Sequence, residues 1–403
     1  MSTVASPEHA VADGDPDGAP PIRVLWVAKG LGPGGMERLL VHQAAAGDRE
    51  RFDYHAAYVV DRPNSVVPEL EGLGVPVHRL DGRLGPLGWG RALRRLVLEH
   101  RIDVVHLHSP AVAAVARPAL RSLHHRPAVM TTEHNSWDCY SWPTRLINVT
   151  TYPLDDARLA VSQDAIDSVP RPLRGRSEVL VHGIDLTGAA ELLPRASAIR
   201  AEVRRELGIT PDAPVVIVVA NHRREKGWDV LIEAAQHVRR NVPGAVILGV
   251  GHGGLENVHR TRIAQLDLGA TVRLLGFRSD VDRLMVASDV FALGSRQEGL
   301  PVAVMEAMAL GLPVVAPRVG GLPLAVEHGA SGLLVAPEDP VELGDALGSV
   351  LADQVLRAQL ADGALGASSA FDVRRAVQTI ESHYSRLATG ADRARGGESR
   401  DRH

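Results

Sequence analysis

Two carboxylates eight residues apart, Glu298 and Glu306, stand in the run Ser295-Arg-Gln-Glu298-Gly-Leu-Pro-Val-Ala-Val-Met-Glu306-Ala-Met-Ala-Leu-Gly-Leu-Pro-Val-Val-Ala316. Pro301 suits the first turn of a helix, where its missing N–H would be unpaired anyway. Val302 to Leu310 then reads as a mostly apolar helix ended by Gly311, with a short buried strand from Pro313. On this reading Glu298 lies at the helix mouth, and Glu306 about 12 Å further on at ~1.5 Å per residue. Such a separation is too wide for two acids sharing one bond or one metal ion. It suits two acids that hold two parts of one elongated ligand. The structural alternative is that Glu298 only favours a helix N-terminus by its charge, while Glu306 is a paired acid on a half-buried helix.

Further candidates come from three loops. Ala220-Asn221-His-Arg223-Arg224-Glu-Lys226-Gly227 follows the apolar run that begins at Pro214, and Lys226 is one of two lysines, with Lys29, among 44 basic residues. Three cations beside a helix start are unfavourable unless an anion neutralises them, and a diphosphate fits. A solvated charged loop is the plain alternative. Gly30-x-Gly32-x-x-Gly35 follows a strand and opens a helix, with Asp61 after the next strand. In form this is a dinucleotide fingerprint, although Asp61 lies 26 residues past Gly35 rather than the usual ~20. A tight packing turn, or a helix N-terminus open to any phosphate, explains the glycines equally. His106-x-His108 ends one strand and His134 another; alternation puts the first two on one face, but the sequence places no third metal ligand. His134 suits polar or acid/base work at a strand's carboxyl end.

The elements that must position these residues alternate. Strands near 22–28, 54–60, 75–78, 104–107, 128–132, 157–161 and 179–181, with helical stretches between the first five, predict a parallel sheet. The same grammar restarts at 214–220 and continues through 245–249, 271–275, 289–293, 313–316 and 332–335. The fold class is therefore α/β with two doubly wound domains, 21–184 and 185–370. A helix over Asp372–Leu387, within 371–388, is placed to cross back to the first domain, and 1–20 and 389–403 read as disordered tails. The net charge of −4 offers no basic excess for nucleic acid. The single Cys139 excludes an internal disulfide. The acidic, Pro/Gly/Ala-rich start is unlike a secretory signal, and no apolar run of about 18 residues is present, so a cytoplasmic protein is the expectation. Arg91, Arg94 and Arg95 with Trp89, Leu93 and Leu96 make a basic amphipathic helix, either solvated or a peripheral contact with the inner membrane face.

Taken together, Glu298-x7-Glu306 with Glu-Gly-Leu-Pro and Gly-Leu-Pro-Val-Val-Ala resembles the signature of the retaining family 4 glycosyltransferases, of GT-B fold. Gly34-Gly35-Met-Glu37-Arg38, Glu225-Lys226-Gly227, Gly276-Phe277-Arg-Ser-Asp280 and Gly320-Gly-Leu-Pro323 fall in the family's order from Arg23 to about Leu387. The resemblance implies two Rossmann-like domains facing across a cleft, with a UDP- or GDP-sugar donor held mainly by the second. It implies diphosphate contact for Lys226, ribose contact for Glu306, and donor-sugar contact for Glu298 with the backbone of Gly299, Leu300 and Pro301. Gly34 and Gly35 would lie beside the diphosphate, His134 near the sugar, and Phe277 on the donor side. Catalytic roles fall to Glu298, His134 and Lys226, with no metal and no cofactor. The acceptor, a glycan, lipid or small molecule, is unspecified; Trp137, Tyr140 and Trp142 could stack on it or belong to the core. Three positions depart from the pattern: Asn221 where an arginine is common, so that Arg223 or Arg224 would reach the phosphate; His182 where asparagine is usual; and Leu324 where glutamate is common. Asn221 and Leu324 keep alive a catalytically silent nucleotide-sugar-binding protein as an alternative, beside a related GT-B enzyme such as a sugar-nucleotide epimerase.

Overall fold

The computed structural model describes residues 20–80, 85–175 and 177–397; the expected tail over residues 1–19 and the last six residues lie outside them. Seven strands, β1 (Ile22–Ala28), β2 (Phe52–Tyr58), β3 (Val77–Arg79), β4 (Val104–Leu107), β5 (Ala128–Glu133), β6 (Ala157–Ala160) and β7 (Ser177–Val179), form one sheet in the order β3-β2-β1-β4-β5-β6-β7. Six more, β8 (Val215–Val219), β9 (Val246–Val250), β10 (Val272–Gly276), β11 (Val290–Ala292), β12 (Val314–Pro317) and β13 (Gly332–Val335), form a second in the order β10-β9-β8-β11-β12-β13. All pairings among these strands are parallel. Strands such as Val215-Val-Ile-Val-Val219 are apolar throughout because helices cover both faces of each sheet. β2, β3 and β7 begin two residues from their expected places.

Strand order reverses at β1/β4 in the first sheet and at β8/β11 in the second. Ligands of such sheets bind in the crevice beyond the carboxyl ends of the strands at this switch. The glycine loop follows β1, His108 follows β4, Lys226 follows β8 and Glu298 follows β11. Topology alone thus gathers the singled-out segments in two pairs, one at each sheet's switch point.

The chain crosses between domains twice, and the crossings touch. Ile184 N–H donates to Phe371 O (2.8 Å) and Val373 N–H to Ile184 O (3.0 Å). The last helix, Val373–Gly397, then packs on the first sheet. Its fully buried Tyr384 hydroxyl accepts from Trp26 Nε1 (3.2 Å) and Gln43 Nε2 (3.3 Å) and lies 2.7 Å from His106 Nδ1. With two donors arriving, the hydroxyl hydrogen goes to His106, whose Nε2–H then faces Thr132 Oγ1 at 2.7 Å. The helix continues past Leu387, so residues 389–397 are helical rather than a disordered tail. Ala388, Ala391, Arg393 and Ala394 are strong helix formers, no proline interrupts them, and the single Gly390 costs only about 1 kcal/mol against alanine. Among the described residues no helix is long and apolar enough to cross a membrane.

Candidate functional site

Glu298 and Lys226 meet. The loop after β11 drops the Glu298 carboxylate onto Lys226 Nζ, which donates to both oxygens at 2.8 and 2.7 Å. Ser295 Oγ adds a third bond at 2.6 Å, and the Glu298 side chain is only 5% exposed against 27% for Lys226. Arg296 fastens this loop to the lysine loop. Its backbone N–H donates to Glu225 O (2.9 Å), and its guanidinium reaches Arg224 O (3.0 Å), both oxygens of Asp229 (2.9 and 2.8 Å) and Glu338 (2.7 Å). Two acids hold the Arg296 guanidinium above its usual range. Lys226 closes a one-turn 3-10 helix, Arg224–Lys226, and Gly227 turns the chain into the helix Trp228–Asn241.

Glu306 sits two turns from that loop on the helix Val302–Ala309, whose N-cap is Pro301. Leu300 is buried in the core beside Val302. The half-buried Glu306 carboxylate makes no hydrogen bond to a described residue; burial raises its pKa and Arg38, from the first domain, opposes the shift. An unpaired carboxylate facing the opposite domain is not the internally paired acid of the structural alternative.

Across the cleft the first domain presents Gly34, the N-cap of the helix Gly35–Ala46, which as glycine gives no side-chain cap, and the Glu37 carboxylate of the first turn lies over it. A Cβ on Gly35 would lie 3.6 Å from Val302, so this N-terminus abuts the start of the Glu306 helix. Burial pushes Glu37 up to about 6, opposed in part by its backbone hydrogen bond and by Arg223, which thus faces the cleft from the other domain. Asn221 is half-buried after β8. Arg223 is exposed and 3.9 Å from Glu225, and it lines with Arg224, Asp229, Arg262 and Arg296 a groove between two helices of the second domain. Phe277 is half exposed, edge-on to His252. A Cβ on Gly299 would lie 2.4 Å from His134 O, so the Glu298 loop touches the His134 segment directly. Burial drives the His134 pKa well below its usual value, with His182 and His108 adding to the effect. His134 is therefore neutral at ordinary pH.

The fingerprint reading fails on its acid. Asp61 pairs with Arg79 at the surface, and space for a side chain at Gly30 or Gly32 is taken by Val60 O and Arg62, so these glycines answer packing. Trp137 is buried in a small core with Tyr152 and Val169 and is no stacking platform, whereas Trp142 is 75% exposed. Sequence reasoning passed over Ser295 and Arg296 as chemistry, although both stand in the opening motif. Nothing in one sequence marks which polar residue beside a glutamate will brace it.

Two parallel-sheet domains with a cation–carboxylate pair at one switch point and an uncapped helix facing it define a GT-B architecture. Residues 33–187 match the profile of Glycosyltransferase Family 4 and residues 199–365 that of Glycosyl transferases group 1. D-inositol 3-phosphate glycosyltransferase of Saccharomonospora viridis is 31% identical over 309 residues, covering 70% of this chain and 69% of that protein. The Xylanimonas cellulosilytica protein of the same name is 33% identical over 215 residues, 52% of this chain and 51% of its own; matches of this kind span about half the length of such curated relatives. The crystal structure of Anabaena HepE in complex with UDP-glucose superposes with a TM-score of 0.77 at 25% identity, covering 90% of this chain and 99% of that one. The chain belongs to the family 4 glycosyltransferases.

Proposed function

We propose that the protein transfers a hexose-type sugar from a UDP-sugar to a hydroxyl acceptor, with retention at the anomeric carbon. The observation that carries this is the Lys226–Glu298 pair at the β8/β11 switch point, opposed by the uncapped N-terminus at Gly34-Gly35. A diphosphate at Lys226 takes over the cation from Glu298 and meets the free N–H groups of the first domain. That releases Glu298 to accept hydroxyl protons of the donor sugar, while Glu306 accepts those of the ribose. Arg223 supplies the second cation in place of the arginine absent at Asn221. As the C1–O bond to the phosphate breaks and the acceptor oxygen bonds to C1 on the same face, the acceptor proton passes to the departing phosphate oxygen. Cations and helix N–H groups stabilise that oxygen without a metal. HepE, solved with UDP and UDP-glucose, supports the uracil base over guanine. A panel of UDP- and GDP-sugars, read by melting shift and nucleotide release in the presence of EDTA, is expected to single out one UDP-sugar; a saturating ligand at 100 Kd adds about 2.7 kcal/mol of stability. A GDP-sugar response moves the donor assignment. Binding with no release on any acceptor favours the silent protein, and a C-epimer product without acceptor favours the epimerase.

We also propose a peripheral contact of the first domain with an anionic bilayer. Arg91 and Arg95 on the helix Gly85–Glu99 have no acid partner among the described residues. Leu87 is 72% and Leu98 54% exposed on the same helix, and Trp142 and Leu146 are exposed on the helix Trp142–Thr151, which packs against the same neighbouring helix, Pro110–Arg121. Arginines flanking exposed apolar side chains complement an anionic interface, each cation adding ~1 kcal/mol. Co-sedimentation with phosphatidylglycerol vesicles, but not phosphatidylcholine ones, is expected, and R91E/R95E is expected to lower it at least about tenfold. Equal binding by the variant overturns the proposal.

A further inference from the structure

His182, which departs from the usual asparagine, occupies the first interdomain crossing. Its imidazole stacks on that of His134, with ring centroids 5.2 Å apart and planes 12° from parallel. On the far side, His108 Nδ1 lies 3.1 Å from His134 Nε2. That bond takes one nitrogen of His134; the other, Nδ1, has no partner among the described residues and is not among the enclosed unpaired atoms, so it remains open to a ligand. His182 itself hydrogen-bonds to no described residue through either ring nitrogen, and its Nε2 is buried. It serves as a flat ring, not as a donor or acceptor.

The backbone behind this ring is clamped. A Cβ on Gly183 would lie 2.5 Å from Val373 N, and Ile184 bonds to Phe371 and Val373 on the return crossing. The stacking face is therefore fixed by the same contacts that join the two crossings.

We infer that His182 is a positioning residue: its ring backs His134 and fixes the orientation of the imidazole of His134, whose own backbone touches the donor loop at Gly299. Offset stacking of two flat rings restricts both tilt and rotation, which a short amide cannot do across the whole imidazole face. The inference rests on the role given to His134 above. The titratable groups facing His134 are His108 and His182, with His106 beside His108. The other residues of the small cavity there are uncharged, among them Met36, Gln43, Val373 and Ala376.

The test uses the full chain with His182→Asn and His182→Phe, each checked for an unchanged melting profile. Expected for His182→Asn is a kcat about tenfold lower, with the donor KM within about twofold, as for misplacement of a group acting near the reacting centre. His182→Phe recovers most of the loss. In nitrogen-15 spectra of labelled histidines, with His134 assigned from His134→Gln, the His134 ring titrates at higher pH in His182→Asn than in the parent chain, because the covering ring is gone, and His182→Phe, which restores the cover but not the charge, falls between the two. An identical His134 titration in all three proteins overturns the inference whether or not a substrate is in hand. Equal impairment of both variants overturns it too, assigning His182 to the crossing alone. A moved titration with no effect of His134→Gln on turnover overturns the role of His134 instead.

Discussion

Lys226→Ala is expected to lower kcat/KM for the sugar-nucleotide donor by about 10³-fold, and Glu298→Gln by about 10²-fold or more, as losses of charge stabilisation aimed at a leaving group. The two residues are also each other's partners in the ligand-free protein, so loss of activity alone would not separate chemistry from structure. Stability does. Lys226→Ala leaves a carboxylate that is 5% exposed with Ser295 Oγ as its remaining hydrogen-bond partner, which costs about 1–3 kcal/mol. Glu298→Gln leaves a lysine that is 27% exposed and already meets water, so its cost is smaller, below about 1 kcal/mol. The double variant removes both charges, and its loss in urea unfolding is expected to fall short of the sum. Its activity is expected to stay as low as that of Lys226→Ala, because the diphosphate has lost its cation and the sugar its acceptor. If the double variant recovers turnover as it recovers stability, the pair is a structural brace and the assignment of the donor site to it falls.

Much of this site was legible in the residues, for a physical reason. The doubly wound pattern shows itself as apolar runs alternating with helical stretches, and its topology sends strand-end loops to one crevice. Glu298, Lys226 and the Gly34-Gly35 loop could therefore be placed together before any coordinates. Chain order carries no side-chain partners. Lys226 and Glu298 read as holding two parts of one ligand, and their hydrogen bonds to each other were not legible. Gly30 and Gly32 fitted a phosphate fingerprint, although Val60 and Arg62 are what exclude a side chain from them. The charge and glycine content of 389–403 read as disorder, whereas alanine and arginine propensity carries the helix on to Gly397. Arg117 gave no signal at all. It lies buried at 0% exposure on the helix Pro110–Arg121, bonded to Asp155 (2.8 Å), Asn148 (2.6 Å) and Thr131 (3.2 Å). One arginine among many cannot announce that its partners come from three elements.

Gly320→Ala is expected to lower donor turnover about 10²-fold or more, the scale of effect when a site is misplaced by about 1 Å. Gly320 has φ 55°, and a Cβ built there would lie 1.8 Å from Glu298 O. Its neighbour Gly321 donates its N–H to Gly299 O at 2.7 Å, and a Cβ on it would lie 2.1 Å from the same oxygen. These contacts are with backbone, which cannot swing aside as a side chain can. Any accommodation must move the Glu298–Gly299 peptide and with it the carboxylate that faces Lys226 and the loop that touches His134. The left-handed conformation alone costs about 1–2 kcal/mol for an alanine, so a control must carry that cost without the collision. Gly329 provides it, with φ 80° and no heavy atom within 4 Å of the added Cβ. Gly329→Ala is expected to lower the melting temperature with kcat within about twofold, while Gly320→Ala loses activity well beyond its loss of stability. Steady-state kinetics beside urea titrations of both variants make the comparison. Equal activity in the two would mean that the Glu298 loop tolerates displacement, and that the glycine pair next to it is there for the turn rather than for the site.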